Sequence, residues 1–212
     1  MKQQPMSRRK TVVLWTLFIC GTILFGAMAV LQAGELPVLD RIVSETVARW
    51  HTPVLTAFFK GITFLGETHW FVAMCMMVLV LARPWSRGIA FTTNALIIGG
   101  LNHLLKFLFA RPRPDAAQRL IEVGGYSFPS GHSMAAMGIY GLLVYAVWRS
   151  DWPVRRKRIV MTALILLIGL IGFSRIYLRV HYPSDVLGGF GVSLAWLALF
   201  ALAADKLESK AG

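Results

Sequence analysis

Cysteine is almost missing from this sequence: two residues in 212 leave no disulfide framework to build. Both, Cys20 and Cys75, fall inside apolar runs, where cysteine reads as a small hydrophobe rather than a redox or metal ligand. The chain also lacks an internal repeat, a low-complexity tract and a domain linker, so a single domain over residues 1–212 is expected. No small-residue cleavage site ends the first apolar run, which argues against a removed secretory leader and for a retained span. Charge is scarce and lopsided, with 10 acidic residues against 22 lysines and arginines. So few carboxylates suggest no cage for a metal ion.

What is present is apolar. Hydrophobic residues make up 56% of the chain, far above an ordinary soluble protein, and the expected fold is all-α, a polytopic membrane protein. Six spans are expected, at about 11–33, 68–82, 88–109, 132–148, 159–176 and 185–204. The second is short for the roughly 20 residues a span needs. Segment 34–66 mixes Glu35, Asp40, Arg41, Glu45 and Arg49 with Leu, Val and Trp, a pattern of interfacial helices after the first span. With six spans, 13 of the 22 basic residues fall on the side of the N-terminus, Arg83, Arg87, RSDWPVRRKR and the tail. That side is expected to be cytoplasmic, with both termini on it. The net charge of +12 is explained by this topology, and a nucleic-acid partner is not expected.

On the other side, Lys106, Arg111, Arg113, Arg119, Arg175 and Arg179 crowd into two segments. Ionisable groups near membrane depth are expensive, so such a cluster calls for a task. In KFLFARPRP, Lys106 precedes Arg113 by seven residues, and Pro112 and Pro114 hold the arginine in a stiff turn. In SFPSGHS, Ser130 is a natural N-cap, and the amides of Gly131, His132 and Ser133 then lie at a positive helix end suited to an anion. In SRIYLRVHYPSD, Pro183 suits a first helical position and places Asp185 in the first turn, within reach of His181. Arg175 can fork onto two oxygens of a phosphate. Three cations, two histidines and an orienting carboxylate form the inventory for phosphoryl transfer without a metal or other cofactor. His51, His69 and His103 lack such company and read as interfacial or packed.

These three spaced motifs, Lys106 with Arg113-Pro114, Pro129-Ser130-Gly131-His132, and Ser174-Arg175 with His181 and Asp185, resemble those of the type-2 phosphatidic acid phosphatases. That family is a branch of the lipid phosphatase and vanadium haloperoxidase superfamily. The resemblance implies a metal-independent phosphatase acting on a lipid phosphate or pyrophosphate: phosphatidylglycerol phosphate, phosphatidic acid or undecaprenyl pyrophosphate. It implies that His181 is the nucleophile, paired with Asp185, that His132 serves the leaving oxygen, and that Lys106, Arg113, Ser130, Gly131 and Arg175 hold the phosphate. Members specialised for polyprenyl pyrophosphate often carry aspartate at the position of Gly131, which tilts the expectation toward a broad phosphatase that includes phosphatidylglycerol phosphate. A bacterial inner membrane, with the site facing periplasm or exterior, is the expected location. Two other readings stand beside it. A six-span intramembrane serine protease would use Ser130 with His132 or His181, and an anion or lipid transporter would bind without breaking a bond. The sequence says nothing of oligomeric state.

Overall fold

In a computed structural model, residues 8–210 are described, with no account of the side chains of 205 and 207–210. Lys2, counted above on the cytoplasmic side, lies outside them. Among the described residues the regular structure is helical: α1 (Arg8–Leu31), α2 (Val38–Ala48), α3 (Pro53–Phe64), α4 (Thr68–Leu81), α5 (Trp85–Phe109), α6 (Gly131–Ala135), a π turn (Ala136–Tyr140), α7 (Gly141–Arg149), α8 (Val154–Tyr177) and α9 (Pro183–Lys210). A single 3₁₀ turn, Ala116–Gln118, lies in the long loop between α5 and α6.

The chain is a multi-pass membrane protein. Helices α1, α5, α8 and the Pro183–Ala204 part of α9 are long and apolar enough to cross a bilayer. Helices α3 and α4, bent by 41° at their junction, meet the same requirement as a pair, which makes up to five spans. The expected six are not all met by single unbroken helices. At 14 residues α4 is about 21 Å long, short of a hydrocarbon core of roughly 30 Å. The expected fourth span is divided by the π turn. The turn packs closely on α5: a Cβ on Gly138 would lie 2.7 Å from the Ile98 side chain, and Asn94 donates to the Gly138 carbonyl at 2.8 Å.

Apolar side chains such as Ile23, Val80, Leu96, Phe107 and Leu166 stand exposed on the outer helix faces, as lipid-facing residues should. Inside, α1 runs along α9 at backbone distance. A Cβ on Gly21 would sit 2.7 Å from Gly191 O and Ala195 N, so only glycine lets the two helices meet there. Helices α2 and α3 fold onto one end of the bundle, where Val47 and Phe59 join Tyr177, Leu178, Val180 and Val186 in a buried cluster. Tyr177 anchors them. Its hydroxyl meets Thr52 N and Thr56 Oγ1 at 3.2 Å each, and its carbonyl meets His51 Nε2 at 2.9 Å. His51 is therefore packed, while His69 and His103 are exposed.

Because backbone fills the space at Gly21, Gly21→Val should overpack the α1–α9 seam by about 1–3 kcal/mol, lowering the thermal midpoint in detergent by at least about 2 °C. Gly26, on the same helix with nothing near its Cβ direction, provides the control: Gly26→Ala should leave the midpoint unchanged or raised. Equal midpoints for the two variants would refute the close seam.

Candidate active site

Four stretches meet at the end covered by α2 and α3: the last turn of α5, the 110–130 loop, the start of α6, and the α8–α9 corner from the last turn of α8 to the first turn of α9. Backbone bonds stitch them together. Ser127 N donates to Arg111 O at 2.8 Å, Leu120 N to Leu178 O at 3.1 Å, and Ser130 N to Asp185 O at 3.0 Å. All eight residues singled out in the sequence, Lys106, Arg113, Ser130, Gly131, His132, Arg175, His181 and Asp185, belong to these stretches.

The tautomer of His181 follows from its partners. Arg113 Nη1 lies 3.1 Å from Nε2, and a guanidinium can only donate, so Nε2 holds a lone pair. The proton is then on Nδ1, which faces Asp185 Oδ2 and Ser127 Oγ, each at 3.3 Å. Asp185 Oδ2 also accepts from Ser127 Oγ at 2.5 Å and from Tyr182 N at 2.8 Å. Burial pushes the His181 imidazole down to about 3; Asp185 opposes the shift, while Arg113 and Arg175 reinforce it. The ring is neutral at physiological pH, with Nε2 nucleophilic in kind.

The cations surround it. Arg113 is fixed by the carbonyls of Gly124, Gly125 and Val180 at 3.1, 3.0 and 2.9 Å. Gly125, at φ 70°, adopts a left-handed conformation that glycine supplies without strain. Lys106 Nζ donates to Tyr126 O at 2.7 Å. Arg175, buried at the end of α8, donates through Nη1 to Thr63 Oγ1 at 2.5 Å. Its Nε and the Nε2 of His132 are buried without a hydrogen-bond partner, an arrangement proteins rarely leave outside functional sites.

Ser130 caps α6: its Oγ accepts from Ser133 N at 3.4 Å and from Ser133 Oγ at 3.0 Å. Neither bond reaches a histidine, which is unlike a serine nucleophile with its base. The first-turn amides of Gly131 and His132 have no acceptor within the helix. Gly131 packs closely on Asn102: a Cβ would lie 3.0 Å from its Oδ1. Gly66, in the α3–α4 junction, packs on the His132 ring: a Cβ there would lie 2.9 Å from His132 Cδ2. Tyr140 holds that junction by donating to Leu65 O at 2.8 Å.

Residues that the sequence did not single out complete the site. Ser127, Thr63, Asn102 and Gly66 touch the histidines, Arg175 or the α6 loop, and Arg111 and Asp40 lie behind Asp185. Arg111 carried one signal, its place among the crowded basic residues; Asp40 carried only its position in a mixed polar and apolar segment.

A cavity of about 610 Å³ leads away from Gly131 and His132 between α4 and α5, past Phe71, Cys75 and Leu96 to Leu79 and Thr92. Gly99 and Gly100 line it with nothing near their Cβ directions, whereas Gly172, Gly188, Gly189 and Gly191 are packed tightly. Gly169 is open but lines a separate apolar cavity. The sequence's glycines thus divide between close packing and open space.

The chain is similar in sequence and in fold to known proteins. A model of the PAP2 superfamily matches residues 87–208. The chain is 32% identical over 163 residues to phosphatidylglycerophosphatase B of Bacillus subtilis, covering 73% of this chain and 78% of that protein. It is 27% identical over 149 residues to the undecaprenyl-diphosphatase BcrC of the same organism, covering 64% and 72%. The crystal structure of a transmembrane PAP2 type phosphatidylglycerolphosphate phosphatase from Bacillus subtilis superimposes with a TM-score of 0.76 at 28% identity, covering 93% of this chain and 96% of the other.

With a folded-state value near 3, His181 should not titrate in the physiological range. Imidazole ¹⁵N spectra of the protein in detergent should show Nδ1 protonated and Nε2 bare from pH 8 down to pH 5. A midpoint near the ordinary histidine value of about 6.5 would contradict the arrangement.

Proposed function

The chain belongs to the PAP2 superfamily and is a membrane lipid phosphatase, and we propose that its reaction runs through a phosphohistidine at residue 181. The observation that carries this reading is the lone pair of His181 Nε2, turned toward Arg113 and away from Asp185. Nε2 attacks phosphorus, the P–N bond forms and the P–O bond to the lipid breaks. His132 gives its proton to the leaving oxygen. Water then attacks the phosphoimidazole, His132 takes the water's proton, and the P–N bond breaks to release phosphate. Asp185 stabilises the positive charge that the ring acquires while Nδ1 keeps its proton. Lys106, Arg113, Arg175, Ser130 and the amides at Gly131 and His132 neutralise the equatorial oxygens, so the chemistry needs no metal.

Six crossings are the reading that brings the basic N-terminal region, the α7–α8 turn and the tail to the cytoplasmic side. They would run through α1, α4, α5, the α6–α7 segment, α8 and α9. The site then faces the periplasm or exterior of a bacterial inner membrane. The preferred substrate is a lipid phosphate monoester of the phosphatidylglycerol phosphate kind, within a broad range. Two observations support this: the relatives named for that activity, and the glycine at 131, a position where members specialised for polyprenyl pyrophosphate often carry aspartate. A chain of the lipid lies in the cavity between α4 and α5, whose volume is within the roughly 300–1,000 Å³ of ligand pockets.

Rapid quench of the wild type with ³²P-labelled lipid phosphate in EDTA should trap acid-labile phosphate on His181. His181→Ala should lose at least about 10⁴-fold in kcat, and Arg175→Ala about 10²–10³-fold. Full activity of His181→Ala, or a strict need for added metal, would sink the mechanism. The cavity is tested separately by Gly99→Leu and Gly100→Leu, at lining positions whose Cβ directions are open. Both should slow turnover of long-chain lipid phosphates while sparing a short-chain analogue. Equal losses on both substrates would remove the chain from that cavity.

A further inference from the structure

Behind Asp185 lies a buried ion cluster that the reaction just described leaves unused. Arg111 Nη1 donates to Asp185 Oδ1 at 2.5 Å and to Ser184 Oγ at 2.8 Å, and Nη2 donates to Asp40 Oδ2 at 2.8 Å. The three charged side chains are 7%, 0% and 0% exposed for Arg111, Asp185 and Asp40. The guanidinium lies 4.4 Å from the centre of the Tyr182 ring, which blocks one of its faces. Asp40, from α2, also caps α9: its Oδ1 accepts from Ser184 N at 2.8 Å and its Oδ2 from Ser184 Oγ at 2.5 Å. One helix thus supplies the first-turn acceptor for another that begins more than a hundred residues later.

We propose that Arg111 and Asp40 are positioning residues for the histidine reaction. Asp40 orients Arg111, Arg111 occupies Asp185 Oδ1, and Asp185 is left with a single orientation in which Oδ2 faces His181 Nδ1. The charges add to the geometry. Two carboxylates and one guanidinium carry one net negative charge, which matches the single positive charge the His181 ring gains when Nε2 bonds phosphorus. Neutralising Asp40 removes that match while leaving the substrate's contacts in place. The inference rests on the reading of His181 as the nucleophile.

The test uses full-length Asp40→Asn, Arg111→Lys and Arg111→Met in detergent, with wild type and His181→Ala alongside. For each, kcat, KM, thermal midpoint, phosphoenzyme formation and the ¹H resonance of His181 Nδ1–H are measured. Asp40→Asn is expected to lose about tenfold to a hundredfold in kcat and in phosphoenzyme formation, with KM within about twofold of wild type. Its Nδ1–H resonance should move upfield, marking a weaker bond to Asp185. Arg111→Lys should retain more activity than Arg111→Met; if Arg111→Met does not fold, the other two variants decide. Wild-type kcat in Asp40→Asn and Arg111→Lys would overturn the proposal, as would a rise in KM at constant kcat. So would a kcat loss that only follows falling thermal midpoints with an unmoved Nδ1–H, because that pattern describes a brace. An active His181→Ala would instead overturn the nucleophile assignment on which the inference rests. Phosphate mapped to residue 181 beside fully active Asp40→Asn would overturn the positioning role alone.

Discussion

A carboxylate taken out of water at the mouth of an apolar bundle sets the terms for this structure. Asp185 has no exposed surface, and an uncompensated buried charge costs several kcal/mol even after relaxation. Each of its neighbours answers that demand. Ser127, Tyr182 N and His181 cover one oxygen, and Arg111 covers the other. Arg111 is itself buried and needs a second anion, which draws Asp40 and with it α2 onto the ends of α8 and α9. The fold of residues 38–48 is in this sense a consequence of a charge nearly 150 positions away. Removing one member of such a cluster strands the others, so its members are expected to stand or fall together.

The apolar part of the molecule contributes rigidity and nearness. Gly189 lets Ser130 O approach to within 2.9 Å of where a Cβ would be, fixing the α6 loop against α9. The seam at Gly21 and Gly191 holds α1 against the same helix. Phe128, fully buried, stacks on Phe25 of α1 at 5.9 Å and meets Phe109 of α5 edge-on at 4.9 Å, so the loop carrying Ser127 and Ser130 is pinned from both sides. On the proposed mechanism, a nucleophilic histidine positioned by four separate stretches of chain depends on this stiffness, because small displacements from in-line geometry are costly in phosphoryl transfer.

How much of this is legible in sequence follows from the range of each interaction. Helix-scale features are local and were readable: the run opening at Thr11 gives α1, Ser130 does cap α6, and Asp185 does fall in the first turn of α9. Spacing within a motif is local too, which is why the eight site residues could be named. Four helices matched their expected spans closely. The π turn was not legible, and the contacts at it, with Ile98 and Asn94, come from another helix. The shortness of α4 was legible, with the TAFFKGITFLG segment before it as a source of added length or a tilt as the alternative; the 41° bend between α3 and α4 was not. The Asp40–Arg111–Asp185 cluster joins three distant segments, and nothing in the surroundings of Asp40 distinguishes an interfacial carboxylate from a helix cap for α9. Thr63 and Gly66 were hidden for the same reason: their partners, Arg175 and His132, arrive only through tertiary packing.

The position of the polar site at the end of an apolar cavity has a consequence for turnover. On the proposed reading a lipid phosphate is bound at two places of different character, a dianionic head among cations and a chain between α4 and α5. On the proposed course, cleavage moves the phosphoryl group to His181 and leaves the lipid with a neutral or less charged end. The electrostatic part of its binding is lost at that moment, while the chain part is not, and a chain between apolar helices gains little over one among lipid tails. The lipid product is therefore held weakly as soon as it forms. The remaining phosphohistidine sits among the same cations that drew the substrate in, so attack by water is the step at which the protein's charge still acts, and inorganic phosphate is the product that the site holds more strongly.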